Sequence, residues 1–443
     1  MNMKFFIRTY GCQMNESDSE RIAWLLTRRG YKRTSDETEA DLIILNTCAV
    51  RDSAERKVWG KLGRLKDLKR RKPDLLIAVG GCMAQSYGEE IIRRFPHVDL
   101  VFGTRSFVKL PDLIDERLSA GRAVVDLSES SPFQFTPQLR GNGIKAWVNI
   151  STGCDNFCSY CIVPYVRGRE RHRPVDEILG EIEGLAREGY KEITLLGQNV
   201  NSYRWKDVSF SELLRMANEI GGIERIRFIT SHPKDVPDDL IEAMAELEKV
   251  CEHLHLPAQS GANSILRRMN RRYTRERYLD IVRKLRREIP HAAITSDFIV
   301  GFPGESEEDF EETLSLVEEV RFDYAFCYRY SDRPGTKAAS MEGKIPEHLK
   351  RRRLERLIDL TKRIALEKNS DLLGDVVEVL VEDVNPKVKG ELMGRTRTNK
   401  IVFFRGNKDM IGSTLKVRIT EASYWFLKGE IHGDPRFLDQ SGR

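Results

Sequence analysis

Gly153-Cys154-Asp155-Asn156-Phe157-Cys158-Ser159-Tyr160-Cys161 spaces three cysteines as C-x3-C-x2-C, with no fourth thiol or imidazole close enough in the chain to complete a tetrahedral site. A zinc knuckle or ribbon needs four nitrogen or sulfur ligands and usually supplies them in pairs. His172 lies too far along the chain to complete a compact knuckle, and three buried core cysteines would have no reason to adopt ligand spacing. A 4Fe-4S cube held by three thiolates, in contrast, keeps one iron open to a further ligand. The run therefore reads as a cluster site in preference to structural zinc or core packing.

Working outward, the triad follows a strand-like stretch at 146–150. Five more such stretches come after it, at 193–196, 226–230, 254–256, 294–300 and 324–330, with helical patterns such as 175–187, 236–247 and 307–320 between them. Six βα units are fewer than the eight of a closed barrel, so a partial, splayed (β/α)6 barrel is expected, open on one side to a large substrate. In α/β barrels the chemistry gathers at the carboxyl ends of the strands. Here those ends carry the triad, then Gly197-Gln198-Asn199, Ser231-His232-Pro233, His255 to Gly261 (with Gln259 and Ser260), and Gly301-Phe302-Pro303-Gly304-Glu305. Singly these are turns or hydrogen-bonded structural residues. As a ring around one mouth they favour a cofactor pocket, with glycines allowing close backbone approach and amides able to read an adenine or ribose.

Toward the N-terminus, strand-like runs at 5–10, 42–45, 75–79 and 98–102 alternate with amphipathic stretches, which predicts a parallel, flavodoxin-like βα domain. Cys12, Cys48 and Cys82 each sit just past one of the first three strands. In an open parallel sheet the strand ends share an edge where ligands bind, so the three can converge there. One such cysteine would ordinarily be a small buried hydrophobe, but three in equivalent turns point to a second cluster, again with an open iron. A polar, turn-rich stretch at 126–132, followed by Gly141-Asn142-Gly143, reads as an interdomain linker.

Toward the C-terminus, residues 346–368 read as a basic amphipathic linker helix, and β-rich segments at 376–381, 400–404 and 415–419 predict a small antiparallel barrel. Basic and aromatic residues mix in the run from Arg395 to Arg405, a composition suited to phosphate contacts and base stacking. Residues 345–443 hold 20 lysines and arginines against 15 acidic residues, leaving 53 of each sign in residues 1–344. The whole excess of +5 thus sits on the C-terminal part, which suggests a polyanionic partner such as RNA, against the plain alternative of a solvated charged face.

A chain of 443 residues exceeds what one core usually organises. The expected domains are 1–120, 140–372 and 373–437. With 40% hydrophobic and 32% charged residues it is neither disordered nor membrane-embedded, and no apolar run approaches the roughly 18 residues of a spanning helix. The first residues pass into a strand-like segment without the regions of a signal peptide, and eight cysteines are too few for a disulfide scaffold. A reducing, cytoplasmic setting with no membrane partner is expected.

The triad with Tyr160 before its last cysteine resembles the signature of the radical S-adenosylmethionine (SAM) superfamily. That likeness implies that SAM chelates the open iron and is cleaved to a 5'-deoxyadenosyl radical. With the N-terminal cysteines and a basic β-barrel tail in that order, the chain resembles the methylthiotransferase family over essentially its whole length. The third domain resembles the OB-like, RNA-binding TRAM module. Gly11-Cys12-Gln13-Met14-Asn15, Thr47-Cys48-Ala49-Val50-Arg51 and Tyr165-Val166-Arg167-Gly168-Arg169-Glu170 are most similar to the tRNA branch acting on N6-isopentenyladenosine next to the anticodon. Relatives acting on threonylcarbamoyl-adenosine or on a ribosomal protein aspartate differ around the first cysteine.

The resemblance implies two 4Fe-4S clusters, one on Cys12, Cys48 and Cys82 and one on Cys154, Cys158 and Cys161. It implies two SAM molecules per turnover, one as methyl donor and one as radical source, with transfer of a methylthio group to adenine C2. It places Tyr160, Gly197, Gln198, Asn199, Gln259, Ser260, Asp297 and Gly301 in the SAM pocket. Arg167 and Arg169 would meet tRNA phosphate or form structural ion pairs, and Cys251 and Cys327 would be core residues. A reducing electron-transfer protein and a sulfur donor are the further partners, and a monomer is expected. The contrasting reading from another class is an iron-sulfur RNA-binding scaffold without catalysis, which would not cleave SAM.

Overall fold

The computed structural model describes residues 3–50, 52–128, 138–141 and 143–433. Residues 1 and 2, Arg51, residues 129–132 and 142 of the expected linker, and the last residues of the expected third domain, 434–437, lie outside the described residues. The chain forms two compact units. The first comprises 1–141 with 152–171 and 333–336, and the second comprises 142–151, 172–332 and 337–443.

The first unit is built on a parallel sheet of β1 (Lys4–Tyr10), β2 (Lys32–Arg33), β3 (Leu42–Thr47), β4 (Leu76–Gly81), β5 (Leu100–Phe102) and β6 (Val124–Asp126), in the order β2-β1-β3-β4-β5-β6. This is the flavodoxin-like winding, extended by one short strand. Every residue of β3 and β4 is buried because the sheet is covered on both faces. Leu42, Ile44, Leu76 and Ala78 join Phe5 and Ile22 on one face, while Ile43, Leu45, Ile77 and Val79 pack with Val58 and Leu62 on the other. Burying each such aliphatic side chain is worth about 1.5–3 kcal/mol. The short strands β2 and β6 add to the four strand-like runs that the sequence offers.

The second unit holds the six expected barrel strands: Lys145–Asn149, Glu192–Leu196, Arg225–Phe228, His253–His255, Ala293–Val300 and Tyr324–Arg329. The first three form one parallel ladder and the last three another. Ile226 stitches the halves together, its N–H donating to Lys249 O at 2.7 Å and its carbonyl accepting from Cys251 N at 3.0 Å. Among the described residues no ladder joins the first strand to the sixth, so the barrel is open there.

Helix Glu347–Ser370 leads to a closed five-stranded barrel of Val376–Val384, Glu391–Thr396, Ile401–Arg405, Thr414–Ala422 and Leu427–Ile431. Its pairings are antiparallel except between Ile401–Arg405 and Leu427–Ile431, which run parallel. Of the four cations in the run from Arg395 to Arg405, Arg405 is exposed, while Arg395, Arg397 and Lys400 do not face outward as the composition suggests. Arg397 grips Glu252 through Nε and Nη2 at 2.8–3.0 Å and also donates to Val250 O, while Lys400 Nζ meets Asp323 at 3.0 Å and Asn369 Oδ1 at 2.8 Å. From the other side, buried Arg227 donates to the carbonyls of Thr396 and Arg397, and Arg225 to that of Arg395. These cations fasten the small barrel to the large one.

Arg397→Ala is expected to lower stability by about 1.5–3 kcal/mol, because it leaves a largely buried carboxylate and two carbonyls without their charged donor. Urea unfolding of the parent, Arg397→Ala, Glu252→Gln and the double variant checks this. Additive single effects would show that the two groups are not coupled.

Candidate active site

The ladder registers pair Tyr10 with Thr47 and Thr47 with Gly81, so β1, β3 and β4 end level with one another. Cys12 follows two residues past Tyr10, Cys48 one past Thr47 and Cys82 one past Gly81. The three cysteine turns therefore share the carboxyl edge of adjacent strands. Gly81 is required there: its φ is 91°, and a Cβ would come within 2.5 Å of Thr47 O.

Side chains outside the cysteines tie the turns together. Asn15, fully buried, accepts from Cys12 N at 3.2 Å and donates to Thr47 O at 3.2 Å. Asn46 Nδ2 donates to Asn15 O and Ser19 Oγ, and Thr47 Oγ1 donates to Gly80 O at 2.6 Å. The first turn is thus bonded to the second and the second to the third. Asn15 and Thr47 lie within the motifs quoted above, but their roles escaped the sequence reading. The available signal was Asn46-Thr47 closing an otherwise apolar strand, where a buried polar group demands a partner.

Behind this edge Arg167 is buried and donates from Nη2 to Asp18 Oδ2 at 2.7 Å. Of the two readings of this residue, the ion pair is the one the structure contains, and its burial removes it from any phosphate. Burial works against its charge, and Asp18 with Cys82 and Cys12 outweighs that. Burial likewise pushes the Cys82 thiol up, and Arg167 opposes the shift. Ala49, Ile162 and Val166 pack around Cys82 and keep it dry.

The C-x3-C-x2-C loop belongs to the same unit. Cys154 N donates to Gly168 O at 3.2 Å, Thr104 Oγ1 donates to Val166 O, and Arg105 Nη2 donates to Arg167 O at 3.0 Å. Arg169 is exposed and clamps Asp155 at 2.7 and 3.0 Å. Cys154 and Cys158 are buried, while Tyr160 and Cys161 are half-buried. Burial pushes the Cys154 thiol up to about 11 against a hydrogen bond from Asn156. Among the described residues no three Cys, His, Asp or Glu side chains are drawn together closely enough to hold an ion, so the turns converge while the thiols do not meet at one point. The donor set fits an iron-sulfur cluster: each group offers three soft thiols.

In the second unit the strand ends carry an unusual collection of buried polar atoms without a partner. Ser151 Oγ, Asn199 Oδ1, Ser231 Oγ, His232 Nε2 and Gln259 Oε1 lie past the first, second, third and fourth strands. Each such atom costs about 1–3 kcal/mol when left unmet, so their concentration at one mouth fits a polar ligand. His232 is held neutral, chiefly by burial and then by Arg271; its Nδ1 accepts from Lys234 N at 3.2 Å, which leaves Nε2 carrying the proton. Gln259 stands in a left-handed conformation at φ 67°, fixed by bonds from its N to Asp297 O and from Ile299 N to its O.

The remaining expected pocket residues divide. Asp297 lies 3.5 Å from His255 Nε2, Gln198 is half-buried, and Gly197 lies against Ser151, whose Oγ would be 2.3 Å from an added Cβ. Gly301 takes φ 70° beside Lys350. Ser260 is committed elsewhere, to Thr313 Oγ1 and Ala262 N. Cys251 is buried, and Cys327 lies near Thr361 at 3.9 Å.

This combination of an open α/β barrel with a triad loop and polar strand ends defines a radical SAM protein. Residues 148–317 match the Radical SAM superfamily, residues 4–103 the Uncharacterized protein family UPF0004, and residues 371–432 the TRAM domain. The barrel fold recurs in the radical S-adenosylmethionine methyltransferase TsrM from Kitasatospora setae (14% identity, TM-score 0.56, 76% of this chain and 77% of that one). It recurs also in the cobalamin-dependent S-adenosylmethionine radical enzyme OxsB (14% identity, TM-score 0.54, 81% and 56%). At such identity these likenesses concern the fold alone.

Much nearer are the tRNA-2-methylthio-N(6)-dimethylallyladenosine synthases of Thermoanaerobacter sp. (strain X514), 51% identical over 97% of this chain and 93% of that protein, and of Clostridium novyi (strain NT), 51% identical over 97% of both. That of Acetivibrio thermocellus is 52% identical over 96% and 90%. The chain belongs to the tRNA-2-methylthio-N(6)-dimethylallyladenosine synthase family.

On the expectation of a cluster at each triad, about eight irons per chain, Asn15→Ala should lower the iron content after anaerobic reconstitution to about four, by loosening the edge of Cys12, Cys48 and Cys82 while sparing the triad loop. Iron and sulfide analysis checks it. Retention of about eight would show that the thiols hold their cluster without the Asn15 bridge.

Proposed function

We propose that this chain is a radical SAM methylthiotransferase acting on tRNA, converting N6-dimethylallyl (isopentenyl) adenosine beside the anticodon to its 2-methylthio form. The observation that carries this is the near-full-length identity to synthases of that name, in a chain with two groups of three cysteines, one of them at the shared carboxyl edge of β1, β3 and β4.

In this reading Cys154, Cys158 and Cys161 hold one 4Fe-4S cluster and Cys12, Cys48 and Cys82 a second, each with an open iron. When bound, cluster and SAM supply one-electron reduction and a carbon radical, which adenine C2 requires because that carbon has neither an acidic proton nor a leaving group. Ser151, Asn199, Ser231, His232 and Gln259 orient SAM by meeting its polar groups; the neutral His232 donates from Nε2. Arg167, held in place by Asp18, keeps its guanidinium beside Cys82 and opposes the effect of burial on that thiol, and Ala49, Ile162 and Val166 exclude water. One SAM serves as methyl donor and another as radical source. The protein works in the cytoplasm with a reducing electron-transfer protein and a sulfur donor; no helix among the described residues is long and apolar enough to cross a membrane.

The RNA-facing cations of the small barrel are those left over from its attachment. Lys387, Lys389, Arg405 and Lys408 are exposed, and Gly406 N donating to Gly390 O brings their two turns to one end of the barrel. Replacing all four by alanine is expected to weaken tRNA binding and shrink the slope of log K against log salt by about 2–3. An unchanged slope would move the phosphate contacts to another face.

Mass spectrometry of nucleosides from isopentenylated tRNA, incubated anaerobically with the reconstituted chain, SAM, sulfide and a reductant, tests the reaction directly. A methylthio gain is expected. 5'-Deoxyadenosine without that gain would redirect the substrate to threonylcarbamoyl-adenosine or a protein, and no SAM cleavage at all would leave an RNA-binding scaffold. Cys158→Ala is expected to abolish SAM cleavage, whereas Cys48→Ala spares cleavage and stops methylthio transfer. Parent-level cleavage by Cys158→Ala would refute the cluster assignment.

A further inference from the structure

The sixth barrel strand, Tyr324–Arg329, pairs with the fifth on one side and, among the described residues, with no strand on the other. Along that free edge lies a cavity of about 480 Å3 bounded by Tyr324 and Phe326 of the strand, Ile358 and Lys362 of helix Glu347–Ser370, and Tyr424 and Trp425 of the small barrel. This volume falls within the roughly 300–1,000 Å3 typical of built ligand sites. Its rings are not core residues that happen to reach the surface. Trp425 is 46%, Tyr424 39% and Phe326 37% exposed.

The rings form a row with a direction. Tyr324 meets Trp425 edge-on at 4.7 Å and Phe326 edge-on at 4.9 Å. Phe326 in turn lies 6.4 Å from His255, whose Nε2 is 3.5 Å from Asp297. The row therefore runs from the small barrel to the polar strand ends at the barrel mouth. Its rim is cationic: Lys362 Nζ stands 5.2 Å over the Tyr424 ring, and exposed Arg351 lies on the Ile358 face of the helix, two turns nearer its N-terminus. Exposed aromatic faces beside flexible cations are the chemistry that binds unstacked nucleobases and their phosphates, and an aliphatic peptide or a lipid tail would be served by other side chains.

We propose that this groove is a stacking site for one or two splayed-out bases of the RNA substrate that flank the adenosine presented to the barrel. The inference rests on the tRNA reading given above and adds the residues that hold the loop. A base can reach a recessed mouth only by leaving its own stack, which strips its neighbours of a partner. Trp425, Tyr424 and Phe326 replace that partner with a face that accepts any base, and Lys362 meets the intervening phosphate. The open side of the barrel thereby becomes a guide that delivers single-stranded RNA from the small barrel to the pocket.

Fluorescence anisotropy of a labelled isopentenylated anticodon stem-loop with the reconstituted full chain, at several salt concentrations, tests this. Trp425→Ala is expected to weaken binding about 5- to 100-fold. The salt slope should be unchanged, because stacking releases no counterions. Trp425→Phe should recover affinity to within about threefold, and Lys362→Ala should lower the slope by about one. As a second measurement, 2-aminopurine placed beside the target adenosine should be quenched when the parent chain binds. Affinity of Trp425→Ala within twofold of the parent, or an unquenched 2-aminopurine in the bound complex, overturns the groove while leaving the functional reading intact. A parent chain that neither binds nor methylthiolates the stem-loop overturns both.

Discussion

The level ending of β1, β3 and β4, with Tyr10, Thr47 and Gly81 in one register, is the constraint on which the N-terminal half depends. A slip of one residue in either ladder would carry a cysteine turn out of line with its neighbours and turn β3 or β4 side chains to the opposite core. Because those strands feed two apolar layers, one through Leu42 and Ile44 and the other through Ile43 and Leu45, hydrophobic burial itself enforces the register. Packing thus sets the chemistry. The bridges through Asn15 and Thr47 refine a placement that the cores have already made.

In the second unit charge does the corresponding work. Arg225, Arg227, Arg397 and Lys400 are directed at carboxylates and backbone carbonyls between the large and small barrels. Buried or half-buried ion pairs contribute little net stability against well-packed apolar surface, yet losing one partner is severe. They therefore specify a single docked arrangement more than they strengthen it. A purely apolar interface would tolerate sliding; guanidinium groups with several bonds each do not.

Much of this architecture was legible in the chain. Apart from the short β2 and β6, the strands of the parallel sheet and the six barrel strands declared themselves as short apolar runs, and the cysteine positions followed from where those runs stop. Two strands of the small barrel, Glu391–Thr396 and Leu427–Ile431, did not show, because the inward positions that should alternate as large apolar residues include Gly394 and Gly429. A Cβ at either would fall 2.4 Å from a neighbouring carbonyl oxygen, so the narrow interior itself erases the pattern. The basic run from Arg395 was legible as charge and misleading as surface. Its partners Glu252 and Asp323 lie 145 and 77 residues away in the chain, beyond what local composition reveals.

The strand-end pocket illustrates the same limit from the other direction. Asn199 and Gln259 were readable as polar residues after strands, but only packing shows that their oxygens are buried and unmet, or that Ser151, Ser231 and His232 share that condition. Ser260, equally polar and equally placed in sequence, bonds to Thr313 and is not among these unmet atoms. What distinguishes these five atoms from Ser260 is the state of their hydrogen bonds. A chain that holds five such atoms unpaired at one mouth forgoes several kcal/mol of stability. A polar ligand that satisfied them would return that stability on binding.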